Sequence, residues 1–291
     1  MPRFCSSVLI LALCLAAPAW SASGCPEHFA GGAAPIVTNA RLKSRTQVVC
    51  FAAFAVLHSG VSHTPLYSVE HLTRAHVQAA ETLPRKDSFH PEPALPVSDR
   101  AELADYARSG YDRGHMSPNG DMPDRFSQAQ SFSLANMVPQ VHVNNAGVWA
   151  GIEEAARQLA LSEGAIYVVS GPAFVGGDIQ QVGRVLVPTH LWKVLYSPAQ
   201  GRAGAYLITN DATRIYSALS VSDLEKMVGL KLLPGLPQKV RDAGMKLAKP
   251  ASQHPSQRRR DRGEDEFKLE DLPRLFFNAI RRAAQQEGNP S

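Results

Sequence analysis

Long hydrophobic runs are scarce in this chain of 291 residues. One stands out, residues 8–17, and it follows the single early charge, Arg3. It is too short to span a bilayer, and the small residues after it suit a secretory leader cleaved after Ser21 or Ser23. Residues 1–23 are therefore expected to be removed, the chain to be exported to a periplasm or beyond, and no stable membrane span to remain. Cysteine is also scarce. Of four, Cys5 and Cys14 fall in the leader, which leaves Cys25 and Cys50. Neither has zinc-site spacing. An even pair in an oxidising compartment predicts a disulfide. The rival is lipidation of Cys25, since Ala22, Ser23 and Gly24 before it loosely resemble a lipobox.

An excess of either charge is missing too. The net charge is +4, and residues 25–245 hold 19 basic and 19 acidic side chains. Composition alone does not point to a polyanionic partner. The sequence has no internal repeat and no His-Glu-x-x-His. His71 and His76 stand five apart rather than four, which argues against a zinc hydrolase.

What is present suffices for a packed core, since 44% of residues are hydrophobic. Residues 45–59 read as one buried strand, with residues 64–73 as its partner across a turn. Residues 76–110, rich in proline and polar groups, read as a long surface excursion. Residues 144–164 form the clearest helix: Trp149, Ile152, Ala156, Leu159 and Ala160 recur on one face, Asn145 suits the N-cap, and Gly164 ends it. Three further strand-like runs follow. "SDLEKMVGL" then reads as a short helix opening on a capping residue, stopped by "LLPGLP". From residue 246 the composition turns polar and charged, as a flexible tail with a possible short amphipathic helix. The expected organisation is one α+β domain over residues 25–245 with that tail, 246–291, appended.

The chemistry-bearing stretch is "YDRGHMSPNGDM", which crowds Asp112, Arg113 and His115 into what reads as one tight turn. On the helix, Asn145 and Glu153 lie about 80° apart at 100° per residue, so they share a side, and Arg157 neighbours Glu153. An amide oxygen and a carboxylate are hard donors that suit Mg²⁺. Taken singly, each residue has a plainer reading. Asn145 is a cap, Glu153 and Arg157 are a surface ion pair, and His115 is a structural loop histidine. Their combination decides.

Asp-Arg-Gly-His at 112–115, then Asn136, Pro139 and Gln140, then Asn145, Gly147, Trp149, Ile152 and Glu153 closely resembles the sugar-non-specific DNA/RNA endonucleases of the ββα-metal class. That family includes secreted bacterial nucleases and mitochondrial endonuclease G. The match runs without a gap over residues 112–153, with Ile152 in place of the usual Leu. Asn144 stands where the family usually has an apolar residue, so two candidate amides adjoin; the register favours Asn145.

The resemblance implies a ββα-metal fold with a mainly antiparallel central sheet. It also implies phosphodiester hydrolysis of DNA and RNA with Mg²⁺, for which Mn²⁺ or another divalent ion can substitute, and 5′-phosphate products. A neutral imidazole, with an unperturbed pKa of about 6.5, is a suitable base near pH 7; His115 takes that role. Asn145 would ligate the ion directly and Glu153 through a water. Arg113 and Arg157 would stabilise the charge that builds on phosphorus. Arg85, with Lys86 as its rival, resembles a further family arginine. Asn136 and Gln140 are expected to position the site and Asp112 to order the turn. Gly114 would allow a positive φ or a close backbone approach. A grip on backbone phosphates reads no bases. A homodimer is possible by analogy, though no dimer face is marked. The competing reading is a catalytically silent module that binds nucleic acid or a protein; intact His115, Asn145 and Glu153 argue against it.

Overall fold

The computed structural model describes residues 24–251. The expected leader at 1–23, and the basic run and amphipathic helix expected within the tail, lie outside the described residues.

The first surprise is at residues 45–59. They form not one strand but a hairpin, β1 (Thr46–Cys50) and β2 (Phe54–Ser59), because residues 51–53 turn the chain back on itself. Strand β3 (Thr64–Thr73) follows and runs straight into helix α1 (Arg74–Glu81), whose N-cap Thr73 accepts from the His76 amide. The expected excursion thus opens as a helix. The remainder is irregular apart from one short helix, Leu103–Tyr106, but packed: Leu95, Ala101 and Tyr106 are buried, and side chains pin it, with Arg45 on Asp99 and Ser133 on Glu92.

Next come β4 (Asp112–His115), helix α2 (Arg125–Ser131) and β5 (Met137–Gln140). Asp-Arg-Gly-His is therefore a strand and not a turn; it pairs antiparallel with β5, with Asp112 opposite Gln140 and His115 opposite Met137. The chain then enters a helical segment that begins at His142 and ends in the long helix α3 (Ala150–Glu163). Strands β6 (Ala165–Ala173), β7 (His190–Ser197), β8 (Arg202–Thr209) and β9 (Tyr216–Leu219) complete the main elements. Helix α4 (Val221–Val228) is capped by Ser220, two residues before the expected Ser222, and is stopped by left-handed Gly229 rather than by the proline run.

The central sheet has seven strands in the order β9-β8-β7-β6-β3-β2-β1, every pair antiparallel. Strand alternation sends Tyr67, Val69, Val169, Trp192 and Val194 to one face, where they pack with Cys25, Phe29 and the apolar side of α4. Leu72, Ile166, Val168 and Leu195 go to the other, against Trp149, Ile152, Ala156 and Ala160 of the long helical segment. Burial of Ile152 alone contributes about 2 kcal/mol, so this second layer fixes where α3 lies and where its polar side chains emerge. A disulfide joins Cys25 to Cys50 and ties the N-terminal segment to the edge strand β1. Beyond residue 245 the chain still packs: Leu247 lies against the second core and Tyr206 Oη donates to the Ala248 carbonyl. Among the described residues no helix is long and apolar enough to cross a membrane.

Candidate active site

The site forms where β4, β5 and the long helical segment meet over the second face of the sheet. Between His142–Asn144 and α3 the helix opens into one wide π-type turn, Asn145–Trp149, in which Gly147 departs from helical dihedrals. Such turns re-aim the residues around them. Asn145 is therefore not a cap. It sits inside the segment, after Val141 as N-cap, and the 80° relation to Glu153 does not hold, because it assumes an unbroken α-helix.

The wide turn gives Asn145 a different partner. Its Nδ2 donates to Asp112 Oδ2 at 2.9 Å, and His142 Nδ1 lies 2.9 Å from the same oxygen. Asp112 is thus the anchor that sets the Asn145 amide, and with the nitrogen committed, Oδ1 is the end left for a cation. The neighbouring Asn144 is spent elsewhere. It is buried, its Oδ1 accepts from Gln140 Nε2 at 2.8 Å, and its Nδ2 donates to the Thr209 carbonyl at 2.6 Å. Between the two amides, only Asn145 is half-exposed.

His115 is 8% exposed, with Phe132 edge-on at 5.1 Å and Phe89 tilted at 5.8 Å between ring centroids. Its backbone carbonyl accepts from Trp149 Nε1 at 3.1 Å, a bond that locks β4 to the start of α3. Its Nε2 is buried without a hydrogen-bond partner. Burial, then the nearby Arg85 and Arg113 cations, push its pKa down to about 3. The imidazole is therefore not the unperturbed group that its position in the sequence suggests; it is neutral throughout the working pH range.

Two guanidiniums frame that ring. Arg113 stacks over Phe89 at 4.0 Å, and Arg85 lies 5.3 Å from the Phe132 ring centre while its Nη1 donates to Asn119 Oδ1 at 3.0 Å. Arg85 rather than Lys86 is the residue that reaches the site. Glu153 stands on the first turn of α3, where burial raises its carboxyl to about 7 against the opposing pull of Lys193 and Arg157. The cation of Arg85 acts on both His115 and Glu153. Arg157 does not form the simple helix-surface pair with Glu153; its Nη1 donates to Asp121 at 2.9 Å and its Nε to Glu154 at 3.1 Å.

The expected supports have defined tasks. Asn136 is fully buried, accepts from the Ser117 amide and donates to the Ser117 and Ser131 carbonyls, so it holds the turn after β4. Gly114 has no positive φ. It serves close approach: a Cβ there would stand 2.0 Å from Gln140 Oε1. Sequence reasoning missed Asp121, Glu70 and Lys193. Lys193 is buried in β7, where its ammonium donates to the Met116 carbonyl and Ser170 Oγ and lies 4.8 Å from the Trp149 ring. A lone charged residue inside each of two otherwise apolar strands, Glu70 in β3 and Lys193 in β7, was the available signal.

The donor set fits a hard divalent ion. One oriented amide oxygen and one carboxylate are oxygen donors, and neither direct charge nor soft ligand dominates them. Among the described residues no group of three or more His, Cys, Asp or Glu forms a metal cage, so an ion held here would keep water or substrate in most of its positions.

A family model described as DNA/RNA non-specific endonuclease matches residues 33–239. The mitochondrial nuclease EXOG of Xenopus laevis is 34% identical over 217 residues, which cover 66% of this chain and 59% of that protein. For the Homo sapiens protein of that name the identity is 32% over 216 residues, covering 66% and 58%. Nuclease C1 of Cunninghamella echinulata var. echinulata is 35% identical over 182 residues, covering 55% and 72%. The chain thus spans under two thirds of the EXOG relatives it matches. A crystal structure of EndoG in complex with EndoGI superposes with a TM-score of 0.62 at 25% identity, covering 69% of this chain and 92% of that one. With β4, β5 and the long helical segment as its ββα unit, the architecture is the α+β, ββα-metal nuclease fold.

Proposed function

Because the chain belongs to the DNA/RNA non-specific endonuclease family, we propose that it hydrolyses internal phosphodiester bonds of DNA and RNA with the help of a divalent cation, Mg²⁺ by preference. The observation that carries this reading is the pairing of a buried, neutral His115, whose Nε2 has no partner, with an Asn145 amide oriented by Asp112. Asn145 would hold the cation through Oδ1 and Glu153 through a water. When bound, the cation supplies charge neutralisation at the scissile phosphate and at the departing oxygen.

The chain's own residues do the rest. Arg85 and Arg113 donate to phosphate oxygens and seat the backbone beside the imidazole. The phosphate charge offsets the two guanidiniums that depress His115, so its basicity rises as substrate arrives. Nε2 then takes a proton from the attacking water. Arg157 stabilises the additional negative charge on the pentacovalent phosphorus; the bond to the 3′ oxygen then breaks, that oxygen takes a proton from water, and 5′-phosphate and 3′-hydroxyl ends are left. Recognition runs through phosphate and sugar, which suits both nucleic acids. We place the protein outside the cytoplasm, in the periplasm or secreted: the leader-like residues 8–17 and the Cys25–Cys50 disulfide both suit export to an oxidising compartment.

The test is incubation of purified protein with plasmid and with RNA, with EDTA or with Mg²⁺ or Mn²⁺, beside His115→Ala. Cleavage that needs the cation and falls by about 10³-fold in the variant is expected for loss of a general base. Equal cleavage by the variant, or none by the wild type with either ion, refutes the reading.

A further inference from the structure

Arg157 is a proposed catalytic group whose buried partner, Asp121, lies outside the recognised motif. Helix spacing assigns it to Glu153, yet the guanidinium turns to Asp121, on the short helical turn Asn119–Asp121 that follows β4. Asp121 is 3% exposed, and Gly120 beside it makes room: a Cβ there would stand 3.3 Å from Arg157 Nη1. Behind Asp121 lies Glu70 of β3, 2% exposed and close enough that the charge of Asp121 disfavours a second charge on it. One oxygen of Glu70, Oε1, is buried without a partner. Two buried carboxyls that repel each other's charge do not both ionise, so one retains a proton. Glu70, Asp121 and Glu153 face Arg157 and Lys193 here, so three carboxyls and two cations share a buried space. One retained proton brings that space to neutrality.

We propose that Asp121, backed by Glu70, is the positioning residue for Arg157 and holds its guanidinium against the site. The pair touches neither substrate nor cation; it fixes the direction of a flexible side chain that would otherwise be free to follow Glu154 into solvent. Burial holds the Glu70 carboxyl well above the usual carboxylate range and raises that of Asp121, in keeping with the retained proton. The inference rests on the nuclease reading for its kinetic consequence, though not for its geometry.

The experiment has a kinetic and a structural arm. Asp121→Ala is expected to lower kcat/KM on plasmid by about 10²-fold, the cost of misplacing a catalytic group by about 1 Å. The loss should fall on kcat, because Arg157 acts in the transition state. In an Arg157→Ala background the same substitution should cost less than about threefold, since its target is gone. Glu70→Leu should lose activity in the same way, with Glu70→Gln, which keeps a donor toward Asp121, recovering most of it. If Asp121→Ala does not fold, Asp121→Asn takes its place in each measurement. Crystal structures of substrate-free wild type and the Asp121 variant should show the guanidinium displaced in the variant. An unmoved guanidinium, or a full loss repeated in the Arg157→Ala background, overturns the proposal. A wild type that cleaves neither nucleic acid refutes the nuclease reading, while the paired crystal structures still decide the positioning.

Discussion

The neutrality of His115 has a consequence for stability that needs no substrate. Its folded pKa is about 3, while in the unfolded chain it titrates near the free value of about 6.5. Between those two values the unfolded state binds more protons, so falling pH favours unfolding. Stability from this one ring is fully present above about 6.5 and is lost progressively as pH drops toward about 3. From pH 8 to pH 5 the loss spans about 1.5 units below the unfolded value, or about 2 kcal/mol. Other groups titrate in the same window, and some oppose it: Glu153, raised to about 7, gains stability as pH falls from there toward its unfolded value. A difference measurement isolates the ring. Urea unfolding of wild type and His115→Gln at pH 8, 7, 6 and 5, with divalent ions chelated, gives their stability difference at each pH. The wild type should lose about 2 kcal/mol relative to the variant across the series. Parallel curves would mean that the imidazole is solvated and charged in the fold, and the account of a desolvated base would fail with it.

Two further outcomes follow from the geometry. Asp112→Ala removes the shared acceptor of Asn145 and His142 and should raise the Mg²⁺ concentration for half-maximal cleavage by about 10-fold, the usual cost of losing an outer partner of a metal ligand; an unchanged Mg²⁺ titration would show that the amide is set by the helix alone. Gly114→Ala forces a methyl group against Gln140, whose Oε1 would stand 2.0 Å away, and should destabilise the fold by about 1–3 kcal/mol in a denaturant melt; a change within error would mean that Gln140 yields freely.

Legibility in the sequence followed locality. The apolar period of Trp149, Ile152, Ala156 and Ala160 reports packing on the sheet directly, so the helix, its termination at Gly164 and the strand runs around it could be read. The Asp-Arg-Gly-His residues could be picked out because three reactive types stand together. Their conformation could not, because pairing with β5 is a contact across 25 or so positions and no local rule writes it. The wide turn at Asn145–Trp149 escaped because a regular 100° step was assumed through Gly147, whose backbone leaves helical dihedrals. Asp121, Glu70 and Lys193 converge from three separate elements. Each reads in isolation as a loop acid or a stray charge in a strand. Only the sheet register, which puts Glu70 and Lys193 on the same face as Val168 and Ser170, makes them one group.

That convergence clarifies how the site is divided between its two sources. The helical segment delivers Asn145 and Arg157, an amide and a guanidinium, neither of which can fix its own direction. The segment from β4 to the turn after it delivers Asp112 and Asp121, and each carboxylate takes one of them: Asp112 holds Asn145, Asp121 holds Arg157. These two carboxylates are thereby kept one step behind the groups that meet the phosphate. Placed behind, they orient donors whose polarity remains available, and Glu153 alone would meet the cation, through a water. The same arrangement lets residues 25–245 be charge-balanced overall and still present Arg85 and Arg113 beside the imidazole of His115.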